Sequence, residues 1–526
     1  MAGIKVRKSY VTADIASSYL NEDWLVLVLG VTSGGPVEPT YLTSYDMFIN
    51  TFGTAVSGYS THQYVQQLLA NGVPVMFKRI TNNTQPNLAS LIVKSDNEVG
   101  TTPADYYVKF TALNTYSGDA GKNIALSVVP GEYLKSESVF QIYYNNVLVE
   151  SYSLGVPTDN SAVSVKNQFK TFVDNYIYGN SGIKSNYVSI ELLNPTTIPE
   201  SAVLVDDLDK TALVLTGTAT AEDYISVLTT YTDSETGELK PFWNDAKLHD
   251  AMNYYPNVRL VSVGGVVAAD TATQNTINKN LGKFVVDCGT SFRALIDYPM
   301  GTEDITSVVR NFAYSEIADG VDTSIYAYFG DWGYTSGGYA LPGSLGFLTA
   351  LGNNNYTPYS RRVAGTTFRP SFTSAYDDIY IDGIKDWQSE LSIQLNPIVV
   401  VDAQGNLAVM GSSTLCEPPA PLTARSPKQA LDVLMVGDHI TNLLNRMALD
   451  VLEGTLDRLM LDTLSNNMSR ELERFVESKA ITRYDLQFSV EQLGKLNIVC
   501  NLYFAIGLEE VELLVTSTYD TDIYVS

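Results

Sequence analysis

At 526 residues the chain exceeds what one ordinary core organises, and domain-size scaling predicts roughly three to four folding units. Hydrophobic residues at 45% and charged residues at 17% give the balance of a globular protein with more apolar and less charged surface than average. The 58 Asp and Glu against 33 Lys and Arg, a formal charge of -25, put the wrong sign on the term that drives phosphate-backbone binding, so no nucleic-acid partner is expected.

Cys288, Cys416 and Cys500 lie too far apart in sequence for a disulfide framework or a zinc site, and they read as reduced thiols of a chain made in a cytoplasm. Lys5, Arg7 and Lys8 are not followed by an apolar segment ending in a small-residue cleavage site, so no signal peptide is expected. The apolar stretch Trp24 to Val31 falls far short of the ~20 residues that cross a bilayer, and no membrane insertion is expected.

Residues 1–22 are polar with no sustained period and read as an extended N-terminal arm. Trp24-Leu25-Val26-Leu27-Val28-Leu29-Gly30 predicts a buried strand, and Gly34-Gly35-Pro36 a turn. Ser44 is placed to cap a short helix through Tyr45-Asp46-Met47-Phe48 that stops at Phe52-Gly53. Thr61 is expected to cap a second helix, with Tyr64, Val65, Leu68 and Leu69 on one face and Asn71-Gly72 as its stop. Val75-Met76-Phe77 then predicts another buried strand. Strand, helix, helix, strand is an α/β opening.

From about 82 to 216 the texture changes to short alternating stretches such as Phe140-Gln141-Ile142-Tyr143-Tyr144, with one helical piece near Phe169, Phe172 and Val173. The α/β texture returns with Val258 to Val263, Phe284-Val285-Val286 and Ala294-Leu295-Ile296-Asp297, apolar runs that predict strands covered on both faces. Ser426-Pro427 opens a helix carrying Val433, Val436, Ile440, Leu443, Met447 and Val451 on one face. A second helical stretch is predicted from about Leu456, and Asn467 opens a third with Leu472, Phe475 and Val476 inward. Leu496, Ile498, Cys500, Leu502 and Phe504 alternate as a half-buried strand, with another at Val511, Leu513 and Val515 before a polar tail holding Tyr519 and Tyr524.

The fold class expected is α/β multi-domain. Its parts are an N-terminal arm 1–22, an α/β core in two pieces 23–95 and 217–410, a β-rich inserted outer domain 96–216, an α+β C-terminal domain 411–510 and a C-terminal arm 511–526.

Chemistry finds little purchase. His62, His249 and His439 are isolated, without the His-x-x-x-His or His-Glu-x-x-His spacing that puts two metal ligands on one helix face. In Gly118-Asp119-Ala120-Gly121-Lys122-Asn123 the glycines are too close for a phosphate loop, and Asn123 stands where such a loop has Ser or Thr, so a turn is predicted. Gly343-Ser344-Leu345-Gly346 lacks the Gly-x-Ser-x-Gly spacing of a nucleophile elbow. Abundant tyrosine suits semi-polar contacts between subunits as well as sugar stacking and does not decide between them. No catalytic, cofactor-binding or metal residue is assigned, and neither a cofactor nor an enzymatic activity is expected.

Several segments in one order carry a resemblance. They are Val28-Leu29-Gly30-Val31-Thr32-Ser33-Gly34-Gly35-Pro36-Val37 with Leu42-Thr43-Ser44 and Phe52-Gly53, then Leu68-Leu69-Ala70-Asn71-Gly72 with Val75 to Arg79. Tyr116 to Ile124 follows, with Gly118, Gly121 and Asn123, and then Leu295-Ile296-Asp297-Tyr298-Pro299. Leu395-Asn396-Pro397-Ile398, Gly405, Met410-Gly411 and Thr414-Leu415 come next, and Tyr484-Asp485-Leu486, Gly494-Lys495-Leu496-Asn497-Ile498 and Glu510-Val511-Glu512-Leu513 close the series. Together these segments resemble the contractile tail sheath family of phages, pyocin-type particles and type VI secretion systems. Lys122 intervenes in the Gly-x-x-Gly-Asn turn, and Met410 stands where the family has Trp.

The resemblance implies a structural subunit of a virion tail, made in the host cytoplasm. It would polymerise helically around a tail tube, with tube, baseplate and tail terminator proteins as partners. Strands lent by the N- and C-terminal arms would join the sheets of neighbouring copies, and contraction would be a rigid-body rearrangement that drives penetration of the host envelope and genome ejection, without ATP. Residues 1–22, extended at about 3.3 Å per residue, reach roughly 70 Å. The α/β core would make the principal contacts, and 96–216 would project outward. Another virion structural protein or a surface-layer protein is the alternative expectation.

Overall fold

The computed structural model describes residues 25–81, 88–95, 106–113, 116, 119–130, 138–154, 185–193, 203–204, 212–216, 223–232, 234–254, 258–268, 270–288, 292–297, 312, 322–329, 333–335, 340–353, 367–368, 374–375, 394–396, 398–400, 406–409, 411–416, 427–449, 458–492 and 495–504. The expected arms 1–22 and 511–526, the helical piece near Phe169 to Val173, and Val451 lie outside them. The chain divides into two compact units, Met1–Thr357 with Arg362–Met435, and Pro358–Arg361 with Val436–Ser526.

The first unit begins with Leu25–Gly30 (β1), in which every residue is buried, and the short Thr40–Leu42 (β2). The Ser44 side chain accepts from the Met47 N–H at 3.1 Å and starts Tyr45–Phe52 (α1), which Gly53 ends at φ 79°. A cap of this kind is worth about 1 kcal/mol. Thr61–Ala70 (α2) stops at Asn71, with Gly72 at φ 70°, and Val75–Arg79 (β3) returns parallel to β1.

Between 88 and 216 the chain builds two further sheets. Their strands are Ser90–Ser95 (β4), Tyr106–Ala112 (β5), Ile124–Pro130 (β6), Ser138–Tyr144 (β7), Val147–Ser153 (β8), Val188–Leu193 (β9), Val203–Leu204 (β10) and Leu213–Val214 (β11). The orders are β10-β4-β5-β9 and β11-β6-β7-β8. Asn145 and Asn146, both at positive φ, form the two-residue turn whose twist suits the β7–β8 hairpin. Leu91, Val93, Val108 and Phe110 from one sheet share a core with Leu126, Val128, Phe140 and Ile142 from the other, as in a sandwich.

The α/β layer resumes with Tyr224–Thr229 (α3), Ala246–Tyr254 (α4), Val258–Gly264 (β12), Thr271–Cys288 (α5), Arg293–Asp297 (β13) and Tyr326–Phe329 (β14). Short strands Gly333–Thr335 (β15) and Ala340–Leu341 (β16), the helix Gly343–Asn353 (α6), and Thr367–Phe368 (β17), Ser374–Ala375 (β18), Leu395–Asn396 (β19), Ile398–Val400 (β20) and Leu407–Val409 (β21) follow. The main sheet runs β19-β14-β13-β12-β1-β3-β2, parallel throughout except for β2. Strand alternation sends Leu25, Leu27 and Leu29 into one core with Trp243, Leu248, Ile277, Leu281 and Phe284. Val26 and Val28 go into the other with Phe48, Phe52, Tyr64, Val65, Leu68 and Leu345. Helices thus cover both faces, which is why the strands read as continuous apolar runs.

The predicted strand at Phe284-Val285-Val286 is instead the last full turn of α5. Ile277, Leu281, Phe284 and Val285 recur at helical spacing and are buried, whereas Val286 turns to solvent at 39% exposure.

The second unit contains most of Leu431–Leu449 (α7), then Arg458–Glu477 (α8), Arg483–Gln492 (β22) and Lys495–Tyr503 (β23). Pro427–Gln429 makes one 3-10 turn before α7, and Ser426 lies outside the described residues. Val436, Ile440 and Leu444 form the buried stripe of α7, while Val433 and Leu443 are only half-buried, so the expected face is shifted. The two helices expected from Leu456 and Asn467 are the single α8, in which Asn467 sits exposed while Leu464, Met468 and Leu472 face the core.

Candidate functional site

In a doubly wound parallel sheet, ligands sit beyond the carboxyl ends of the strands where the strand order reverses. Here that point lies between β1 and β12, whose last residues Gly30 and Gly264 are paired neighbours. The protein itself occupies the crevice. Thr61 Oγ1 accepts from the Val31 N–H at 3.1 Å and donates to the Gly264 carbonyl at 2.7 Å. The Ser60 N–H donates to the Gly265 carbonyl at 3.0 Å. A Cβ on Gly30 would lie 2.5 Å from Thr61 Cγ2, and one on Gly265, at φ 72°, would lie 2.3 Å from the Thr61 backbone nitrogen. The glycines that leave room for a ligand in other such sheets here leave room for the amino end of α2. Thr61 is accordingly no cap, as expected from sequence; Ser60 is the N-cap residue, and the Thr61 hydroxyl ties two strand ends together.

Beside this plug lies a buried polar network. The Tyr64 hydroxyl is 2.7 Å from Ser262 Oγ and 3.1 Å from Ser344 Oγ. Asp297 accepts from the Ser344 N–H at 2.7 Å with one carboxylate oxygen and from the Ser344 hydroxyl at 2.8 Å with the other. Ser344 is the second residue of α6, so the carboxylate satisfies a free N–H at a helix amino end, where negative charge is favoured. Burial, and then the Asp297 charge, push the Tyr64 hydroxyl far above its ordinary range, which keeps it a proton donor. Serine, carboxylate and phenol are present, but all four residues are essentially shut off from solvent, and no imidazole stands among them to take a proton from Ser344.

The histidines lie apart. His62 Nε2 donates to the Gly53 carbonyl at 3.0 Å, and burial pulls its pKa below the ordinary value, so the ring is held neutral. His249 Nε2 bonds the Trp243 carbonyl at 2.8 Å and turns Nδ1 toward Cys288 Sγ at 3.6 Å. The thiol is nevertheless pushed up to about 12, first by burial and then by Asp287, the opposite of what activates a nucleophilic cysteine. His439 packs edge-on against Phe475 in the second unit. Asp119–Asn123 is a 3-10 turn, and a Cβ on Gly121 would lie 2.7 Å from the Tyr116 carbonyl, which leaves no phosphate cradle. Among the described residues no group of three or more His, Cys, Asp or Glu is placed to hold a metal ion, and no helix is long and apolar enough to cross a membrane.

The second unit presents a different kind of site. β22 and β23 pair antiparallel from Arg483 opposite Tyr503 to Gln492 opposite Lys495, and among the described residues no strand pairs with either outer edge. Tyr484, Leu486 and Phe488 with Leu496, Ile498, Cys500 and Leu502 turn toward the helices yet remain half-exposed. Asp485, Gln487, Ser489, Val499 and Asn501 face away, with the Arg483 guanidinium 4.0 Å over the Tyr503 ring. A lone two-stranded sheet is marginally stable, and its open edges are templates for further strands. β23 was legible from its alternation; β22 was passed over, although Tyr484, Leu486 and Phe488 carry the same signal.

No family model and no curated protein matches the chain. Two solved structures do. The sheath tail protein of Listeria innocua aligns over 92% of this chain and 95% of its own, with a TM-score of 0.57 at 12% identity. The sheath tail protein of Desulfitobacterium hafniense aligns over 96% and 100%, with a TM-score of 0.54 at 11% identity. Mixed α/β architecture, several separate sheets and a likeness spanning nearly the whole length agree, and the chain has the fold of the sheath tail proteins.

Proposed function

We propose that the chain is the structural subunit of a contractile tail sheath, assembling helically around a tail tube and driving it through the host envelope by rigid-body contraction, with no catalytic step. The observation that carries this reading is the β22–β23 hairpin, whose open edges and half-exposed inner row leave a sheet too narrow for the core it covers. Strands lent by residues 1–22 and 511–526 of neighbouring copies complete it by β-augmentation. Such head-to-tail contacts propagate as an open helix, and the mesh persists while globular faces repack. The plugged switch point supports the reading, because the place where this sheet type keeps ligands is filled by Thr61. Residues 96–216 project outward, and tube, baseplate and terminator proteins are the partners. Negative-stain microscopy of purified protein tests it: hollow tubes are expected, lost when both ends are trimmed. Tubes that form and shorten normally without the ends exclude it.

A further inference from the structure

The two ends of this acidic chain carry opposite charge. Residues 1–13 hold Lys5, Arg7 and Lys8 and no carboxylate, whereas 505–526 hold Glu509, Glu510, Glu512, Asp520 and Asp522 and no cation. In an extended strand Lys5 and Arg7 share one face while Ile4 and Val6 share the other. The same alternation puts Asp520 and Asp522 opposite Ile523 and Val525, and Glu510 and Glu512 opposite Val511 and Leu513. Each end thus matches the other in both rows, apolar beside apolar and cation beside carboxylate at a spacing of two. The hairpin they are to join has the same two-row character. Tyr484, Leu486 and Phe488 form its inner row, and the outer row is nearly uncharged, with Arg483 held over Tyr503 and Asp485 accepting from Gln487. The hairpin therefore offers backbone and apolar contact but little charge to tell one end from the other.

We propose that the basic N-terminal strand of one copy selects the acidic C-terminal strand of a second copy, side by side at the open hairpin, so that charge makes the contact head-to-tail. Opposite charges across strands attract and like charges repel, so two N-terminal or two C-terminal strands are rejected. The inference rests on the proposed function, since it presumes that the ends join sheets of other copies.

Two charge-reversed chains test it. One carries K5E, R7E and K8E, and the other carries E509K, E510K, E512K, D520K and D522K. Each alone is expected to assemble at least about tenfold more slowly than the native chain at low salt, by light scattering and microscopy. An equimolar mixture regains tubes, because every junction in an alternating polymer then joins unlike charges. The defects shrink near 1 M salt, where screening acts within about 3 Å. Native-like assembly by either reversed chain alone, or a mixture that does not recover, overturns the charge selection. A chain lacking residues 1–13 separates the two readings. If it fails to assemble while the reversed chains assemble normally, the ends still join copies and only the electrostatic inference falls.

Discussion

Replacing Gly265 by Ala probes the plug at the switch point directly. Gly265 sits at φ 72°, and an added Cβ meets the Thr61 nitrogen at 2.3 Å and the Ser60 carbonyl carbon at 2.4 Å. The left-handed backbone alone costs an L-residue about 1–2 kcal/mol. Because both obstacles are backbone, relief requires the amino end of α2 to shift, breaking the Ser60 bond to Gly265 and the Thr61 bond to Gly264 at about 0.5–1.5 kcal/mol each. The sum is about 2–5 kcal/mol. Gly58→Ala is the control, for it has φ 95° but nothing within 4 Å of the new Cβ, so only the backbone penalty of about 1–2 kcal/mol applies. Urea unfolding followed by tryptophan fluorescence, to which the fully buried Trp243 contributes, gives both values. Equal losses for the two variants would falsify the idea that the crevice is tightly filled.

Thr61→Val keeps the shape of the plug but strands the Val31 N–H, and a loss of about 1–3 kcal/mol is expected in the same unfolding assay. Ser44→Ala removes the α1 cap and should cost about 1 kcal/mol, with faster amide exchange at Met47. His62 has a depressed folded pKa, so its contribution is complete above the unfolded value of 6.5 and is lost as pH falls through the folded one; the urea midpoint should drop in that window and drop less in His62→Gln. Cys288, held near 12 against an ordinary 9.0, should react with iodoacetamide at pH 8 roughly a thousandfold more slowly than a model thiol, and alkylation at the model rate would contradict its burial beside Asp287.

Local features were legible in the amino-acid order. β1, β3 and β13 announce themselves as unbroken apolar runs because helices cover both faces, and Ser44 caps a helix whose partner N–H is three residues away. The short run at Phe284 carries no period of its own, and the burial of Ile277 and Leu281 beneath the sheet, not the run itself, makes it helix. Asn467 carries the composition of a helix start, yet it rides the exposed side of α8 because Leu464 and Met468 on either side are anchored in the core. Thr61 shows the limit most plainly. Its sequence neighbours say helix start, but its hydroxyl is committed to groups 30 and 203 positions away. By itself the sequence determined which segments could be strands or helices and that no recognisable catalytic spacing was present. Only the tertiary structure decided that the ligand crevice is filled and that a two-stranded sheet is left open, because both depend on strand ends and helix termini brought together from distant parts of the chain.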